Sequence, residues 1–133
     1  MNIGQAAKLS GIPAKTIRYY ESVGLIPPAS RTDSGYREYR QADVSVLKFV
    51  ERARGLGFSI DDVSKLLSLW HNKARKSAQV KALAERHIKA IELKIRELET
   101  MQAALNHLVS KCHGDDRPDC PILDDLADTI TVD

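Results

Sequence analysis

Apolar residues recur at helical spacing along most of this chain, and the breaks between the runs fall on glycine and proline. Between Ile3 and Ser10, Ala6, Ala7 and Leu9 are available for packing, which predicts a short helix. Gly11 follows where a tight turn needs a left-handed residue. Pro13 can open the next helix, because its missing N–H costs nothing there. Ala14 to Ser22 then predicts a second helix with Ile17 facing inward. Lys15, Arg18, Tyr19 and Ser22 fall together on another face. Two short helices joined by a glycine-containing turn make a helix-turn-helix candidate, whose second helix offers cations and an aromatic ring to a DNA groove. The next stretch, "LIPPASRTDSGYREYR", is not helical, because Pro27 and Pro28 break the pattern and Asp33-Ser34-Gly35 signals a turn. Short strands on either side predict a hairpin, or wing, with Arg31 before the turn and Tyr36 and Arg37 after it. Guanidinium and phenol groups at such a tip suit phosphate oxygens.

Gln41 to Arg54 predicts an amphipathic helix with Val44, Leu47, Phe49 and Val50 apolar, ended by Gly55 and Gly57. Ser59 reads as an N-cap, with Asp62 three residues on, for a helix carrying Val63, Leu66, Leu67 and Trp70. A polar break runs from His71 to Gln79. From about Ala78 to Lys111 there is neither proline nor glycine. Ala84, Ile88, Ile91, Ile95, Leu98, Gln102, Leu105 and Val109 alternate steps of four and three, the seam of a coiled coil. Such a helix would be about 50 Å long. It cannot bury its stripe against so small a front domain, so a second copy of the chain is the expected partner. Finally, "CPILDDLA" predicts a short helix with Cys120 at its N-cap and Pro121 at its first position. The expected fold is therefore mainly α. Residues 1–70 form a winged helix-turn-helix DNA-binding domain, 71–77 a linker and 78–111 a dimerisation helix. Residues 112–133 form a metal-binding loop, a short helix and a tail.

Composition narrows the class. The chain has 133 residues, 43% hydrophobic and 29% charged, which suits one compact unit or a small domain with an extension. Residues 1–54 carry nine Lys/Arg against five Asp/Glu, and the remainder carries eleven against thirteen. A polyanion is thus the expected partner of the front half only. No apolar run approaches the ~20 residues that span a bilayer, and the first residues lack a signal-peptide stretch, so the expected location is the cytosol, without a membrane partner.

Both cysteines of the chain, Cys112 and Cys120, lie in "SKCHGDDRPDCPIL". They read as incidental thiols, as a disulfide or redox switch, or as a soft metal site. Zinc takes four protein ligands in structural sites, or three and a water. Two thiolates instead point to a monovalent ion, Cu(I) first and Ag(I) or Au(I) behind it. His113 could add a nitrogen. Asp115, Asp116 and Asp119 read as a solvated loop rather than hard-cation ligands. No nucleophile–base pair or catalytic metal triad stands out, so an enzyme is the least expected class. A copper carrier would have no use for the basic front half.

The stretches "MNIGQAAKLSGIPAKTIRYYESVGLI", "GYREY" and "RARGLGFSIDDV", followed by a long helix and a cysteine loop, resemble the mercury-resistance regulator (MerR) family. "CHGDDRPDCPI" resembles the metal loop of its copper efflux regulator (CueR) branch. The resemblance implies a homodimer joined by an antiparallel coiled coil, binding double-stranded promoter DNA and activating transcription by distorting it for RNA polymerase. It places DNA contact on Arg18 and Tyr20 of the second helix and on Tyr36 and Arg37 of the wing, with Lys15 and Arg31 added. The face pattern selects Tyr19 and the family pattern Tyr20, and the sequence leaves both open. The resemblance places one Cu(I), or Ag(I) or Au(I), per protomer on Cys112 and Cys120. Sensors of divalent ions resemble this chain but carry a third cysteine where Ser77 stands here, with Lys81 one turn beyond as a possible neighbour of the metal from the partner subunit. A thiol-disulfide redox regulator is the rival reading.

Overall fold

The computed structural model describes residues 1–127, which divide into two compact units, Met1–Ala84 and the segment from Glu85 onward. The first unit opens with α1 (Ile3–Ser10) and α2 (Ala14–Ser22). Asn2 caps α1: its side-chain Oδ1 accepts the Gln5 N–H at 2.8 Å, and the Asn2 N–H donates to Gln5 Oε1 at 2.9 Å. Gly11 ends α1 at φ 80°, a conformation open to glycine at little cost. Ser10 is buried in the turn, where its hydroxyl accepts the Ile12 N–H at 3.2 Å. Pro13 stands one position outside α2, as its N-cap, rather than as its first residue.

A two-stranded antiparallel hairpin follows, β1 (Ser30–Arg31) and β2 (Arg37–Glu38), with Ser30 opposite Glu38 and Arg31 opposite Arg37. Its turn closes on Thr32, which accepts from Gly35 N–H at 2.9 Å and donates its own N–H to the Tyr36 carbonyl at 2.8 Å. Helix α3 (Gln41–Gly55) keeps Gly55 within its last turn, and the left-handed residue that ends it is Gly57, at φ 89°. Helix α4 (Ile60–His71) is capped as expected, Ser59 Oγ accepting the Asp62 N–H at 3.1 Å.

The core of this unit gathers one face from each element: Ala6, Ile12, Ile17, Tyr20, Val44, Leu47, Val50 and Val63 are buried together. Helix α5 (Ser77–Lys111) starts inside the same unit, because Leu83 enters that core. Trp70, expected on the packed face of α4, remains partly exposed and stacks on Phe49 with ring centres 4.5 Å apart.

Beyond Ala84, α5 continues to Lys111 without interruption, in a helix of 35 residues. Ile88, Ile91, Ile95, Leu98, Leu105 and Val109 are all exposed on the single chain. The cysteine loop follows, and then α6 (Pro121–Ala127). The Cys120 carbonyl accepts the Asp124 N–H at 3.0 Å and so starts α6. Among the described residues, no helix is long and apolar enough to cross a membrane.

Candidate nucleic-acid interface and thiol loop

Helix α2 has two faces with different chemistry. Ile17 and Tyr20, three positions apart, point into the core, Tyr20 with only 7% of its surface exposed. Lys15, Arg18 and Tyr19 point outward, and Tyr19 is 50% exposed. Tyr20, the ring that the family pattern favoured, is therefore a packing residue, because its helical spacing from Ile17 turns it inward. Tyr19 is the phenol that α2 offers to a ligand.

Arg18 shares a cleft with the wing. Arg31, Tyr36 and Arg37 line its other wall, and Asn2 and Ile3 at the start of α1 line its end. Four of the residues expected to contact DNA thus meet at one place, and Lys15 lies outside that lining. Tyr36 is the most exposed of them, at 74%. Arg31 Nη1 donates to the Gly35 carbonyl at 2.9 Å, which ties this cation to its own turn. Three guanidiniums and a phenol around a cleft can hold phosphate oxygens through charge-assisted hydrogen bonds.

Arg37 is only partly turned to that cleft. Its Nε donates to Glu21 Oε2 at 3.2 Å, and the Glu21 side chain is 8% exposed. The Tyr39 hydroxyl donates to the other carboxylate oxygen at 2.5 Å. Burial first, and then the hydrogen bond and charge of Glu21, push the Tyr39 phenol well above its ordinary range. Tyr39 is held on its backbone side too: its N–H donates to the Met1 carbonyl at 2.7 Å, and its own carbonyl accepts from the Met1 amino group at 2.9 Å.

In the second unit, Cys112 and Cys120 are both free thiols and both half-buried. The Cys112 N–H donates to the Val109 carbonyl at 3.1 Å, so this thiol leaves directly from the end of α5. Gly114 turns the chain at φ 65°. Asp115 is engaged inside the loop, accepting from Arg117 N–H at 3.0 Å and from Arg117 Nε at 2.8 Å. His113 is exposed. Among the described residues, no group of three or more His, Cys, Asp or Glu side chains is gathered so as to hold a metal ion. Ser77 and Lys81 are exposed on the first turns of α5.

Residues 1–70 match the family model for the MerR HTH family of regulatory proteins, and residues 44–108 match the model for the MerR DNA-binding segment. The chain belongs to the MerR family of helix-turn-helix regulators. It is 54% identical over 127 residues to heavy metal-dependent transcription regulator 2 of Rhizobium meliloti (strain 1021), covering 96% of this chain and 86% of that one. It is 42% identical over 127 residues to the HTH-type transcriptional regulator CueR of Yersinia pestis, covering 96% and 91%. Among solved structures it is similar to the transcription regulator PbrR691 of Ralstonia metallidurans CH34 in complex with lead(II), with a TM-score of 0.81, 31% identity and coverage of 96% and 99%.

For this MerR-family regulator, sequence reasoning missed Glu21 and Tyr39. Neither carries a signal on its own, since a lone acid near a helix end and a lone tyrosine after a strand are ordinary. The spacing of Tyr20 from Ile17, by contrast, was available and places Tyr20 on the core face.

Proposed function

We propose that this regulator is a Cu(I)-responsive activator, with Ag(I) and Au(I) as chemically related effectors, acting as a homodimer on promoter DNA in the cytoplasm. In this reading α2 enters the major groove, Lys15, Arg18 and Tyr19 meet the duplex there, and Arg31 and Tyr36 carry the wing onto phosphates. The whole seam of α5, from Ala84 to Val109, pairs with the same seam of a second copy running antiparallel. The heavy-metal and lead(II) relatives support a thiophilic ion as the class of effector. The observation that carries Cu(I) over a divalent ion is the donor set. Cys112 and Cys120 are free and half-buried in one loop, while a hydroxyl, Ser77, stands where divalent-ion sensors resembling this chain keep a third thiolate. Two thiolates suit a soft monovalent ion, whereas zinc takes three or four protein ligands.

Cys112 and Cys120 would hold the ion, and sharing it would bring the two thiolates together. Closing the loop must then favour one of two states of the dimer by a few kcal/mol, the scale on which promoter DNA is bent and untwisted. RNA polymerase engages both promoter elements only in the distorted state. Ser77 and Lys81 border the loop from the partner subunit, where Lys81 offsets the net negative charge of two thiolates on one monovalent ion.

In vitro transcription with buffered Cu(I), Ag(I), Zn(II), Hg(II) and Pb(II) tests this reading. The expected result is activation by Cu(I) and Ag(I) alone. Activation by Pb(II) at free concentrations where Cu(I) is silent would overturn it. A stable Cys112–Cys120 disulfide in protein taken from reducing cytosol would favour a redox sensor instead.

A further inference from the structure

The wing is too small to aim itself. Each of its strands has two residues, and an isolated two-stranded hairpin is marginal in water. Its one cross-strand pair of side chains nearest the cleft sets Arg31 opposite Arg37, and like charges placed so repel. What fixes the angle between wing and recognition helix therefore has to come from outside the hairpin.

Glu21 is placed where electrostatics alone disfavours it. It sits in the last turn of α2, at the negative end of the helix dipole, on the element that faces a polyanion. Its side chain is nevertheless almost fully covered, and both carboxylate oxygens are used. Oε2 takes Arg37 of β2 at 3.2 Å, sixteen positions away, and Oε1 takes the hydroxyl of Tyr39 at 2.5 Å, eighteen positions away. Tyr39 is 3% exposed and belongs to the core, so the contact ties the wing base to the rigid part of the domain. A buried carboxylate with two specific donors, both from the wing side, has the geometry of a strut.

We propose that Glu21 and Tyr39 are positioning residues that hold Arg37, and through it the wing, at the angle where Arg18, Arg31 and Tyr36 reach one duplex together. Arg37 acts chiefly as the wing's anchor on α2 and not as a phosphate contact. This rests on the reading that α2 and the wing jointly hold DNA, and the test separates the two.

The test measures binding of the full-length dimer to a palindromic duplex selected by the wild-type protein from a random pool, across a salt series. Plain electrostatics predicts that Glu21→Gln, which removes a negative charge beside DNA, tightens binding. The strut predicts the opposite sign: binding weakens about tenfold, the scale of a lost charged hydrogen bond, with an unchanged salt slope. Arg37→Gln weakens binding equally, and the double variant Glu21→Gln/Arg37→Gln is no worse than either single one. Tyr39→Phe keeps the buried ring and weakens binding about threefold. It carries the test alone if Glu21→Gln fails to keep the wild-type circular dichroism. Unchanged or tighter binding by Glu21→Gln or, where that variant does not fold, by Tyr39→Phe overturns the proposal. So does a fall in the Arg37→Gln salt slope by roughly one per protomer, the mark of a lost phosphate contact. Arg18→Ala is the control. If it also binds like wild type, the interface reading itself fails; if it alone weakens binding, that reading stands and the strut falls.

Discussion

Replacing Leu98 by aspartate should split the dimer and leave each chain folded. Leu98 is 53% exposed on the single chain, so the fold of one chain draws little from it. In the proposed antiparallel pair it lies near the midpoint of the seam, and the remaining half of its surface leaves water. Full burial of a leucine side chain is worth roughly 1.5–3 kcal/mol, so half is worth about 1 kcal/mol per copy and about 2 kcal/mol per dimer. Leu98→Ala should then weaken dimerisation about thirtyfold. Leu98→Asp adds two carboxylates that must either desolvate or repel across the axis, which takes the loss beyond roughly a thousandfold. Leu93 supplies the control. It is also 53% exposed, but it sits on the opposite side of α5 from Ile91 and Ile95. Leu93→Asp should leave the dimer constant within about twofold, a fraction of a kcal/mol. Sedimentation equilibrium over a concentration series measures both, with helix content from circular dichroism as the check on folding. Equal effects at Leu98 and Leu93, or none at Leu98, would refute the seam.

Three further outcomes follow from the same structure. Cys112→Ser or Cys120→Ser should abolish metal-driven transcription while leaving the promoter footprint intact; a footprint lost in either variant contradicts that separation. Ile17 is fully buried, so Ile17→Ala should cost about 2–5 kcal/mol in chemical unfolding, whereas Arg18→Ala beside it should stay within about 0.5 kcal/mol and lose DNA affinity. Tyr39, raised by burial and by Glu21, favours its protonated form in the fold. Its contribution is complete below about pH 10, the pKa of an unfolded tyrosine, and is lost as pH rises beyond it. Tyrosinate absorbance should therefore show a step that accompanies alkaline unfolding, and Tyr39→Phe should remove that step. Glu21→Gln should move that step to lower pH, and a step left in place in this variant would mean that Glu21 does not hold the ring.

What was legible in the sequence is what local chemistry decides. The Gly11 turn, the Ser59 cap, the turn at Asp33-Ser34-Gly35 and the uninterrupted run into Lys111 each depend on a few neighbouring residues, and each stands where expected. Trp70 departs from expectation for another reason. Periodicity alone puts it on the packed face of α4, but a residue near the end of a helix can turn outward. Trp70 therefore covers Phe49 from the surface, while Leu83 carries the start of α5 into the core of the front unit. The tie between Glu21, Arg37 and Tyr39 joins residues 16 and 18 positions apart. No periodicity reports such a pair, because it exists only once the hairpin has folded back onto α2.

The division of labour among these parts constrains how regulation can work. Guanidiniums stay charged at every physiological pH, and those of Arg18 and Arg31 line the cleft proposed to hold DNA. Their attraction for phosphates therefore does not wait for an ion. The loop lies beyond Lys111, in the second compact unit. An effector can shift a two-state dimer only by the difference in its affinity for the two states. If both states keep the same cations on the same phosphates, that difference appears in the shape of the bound promoter rather than in its occupancy. Transcription should accordingly respond to the ion far more steeply than promoter affinity does. An ion that raised affinity and transcription in equal proportion would place the switch in the interface itself, and the thiol loop would then act by recruiting the protein to DNA.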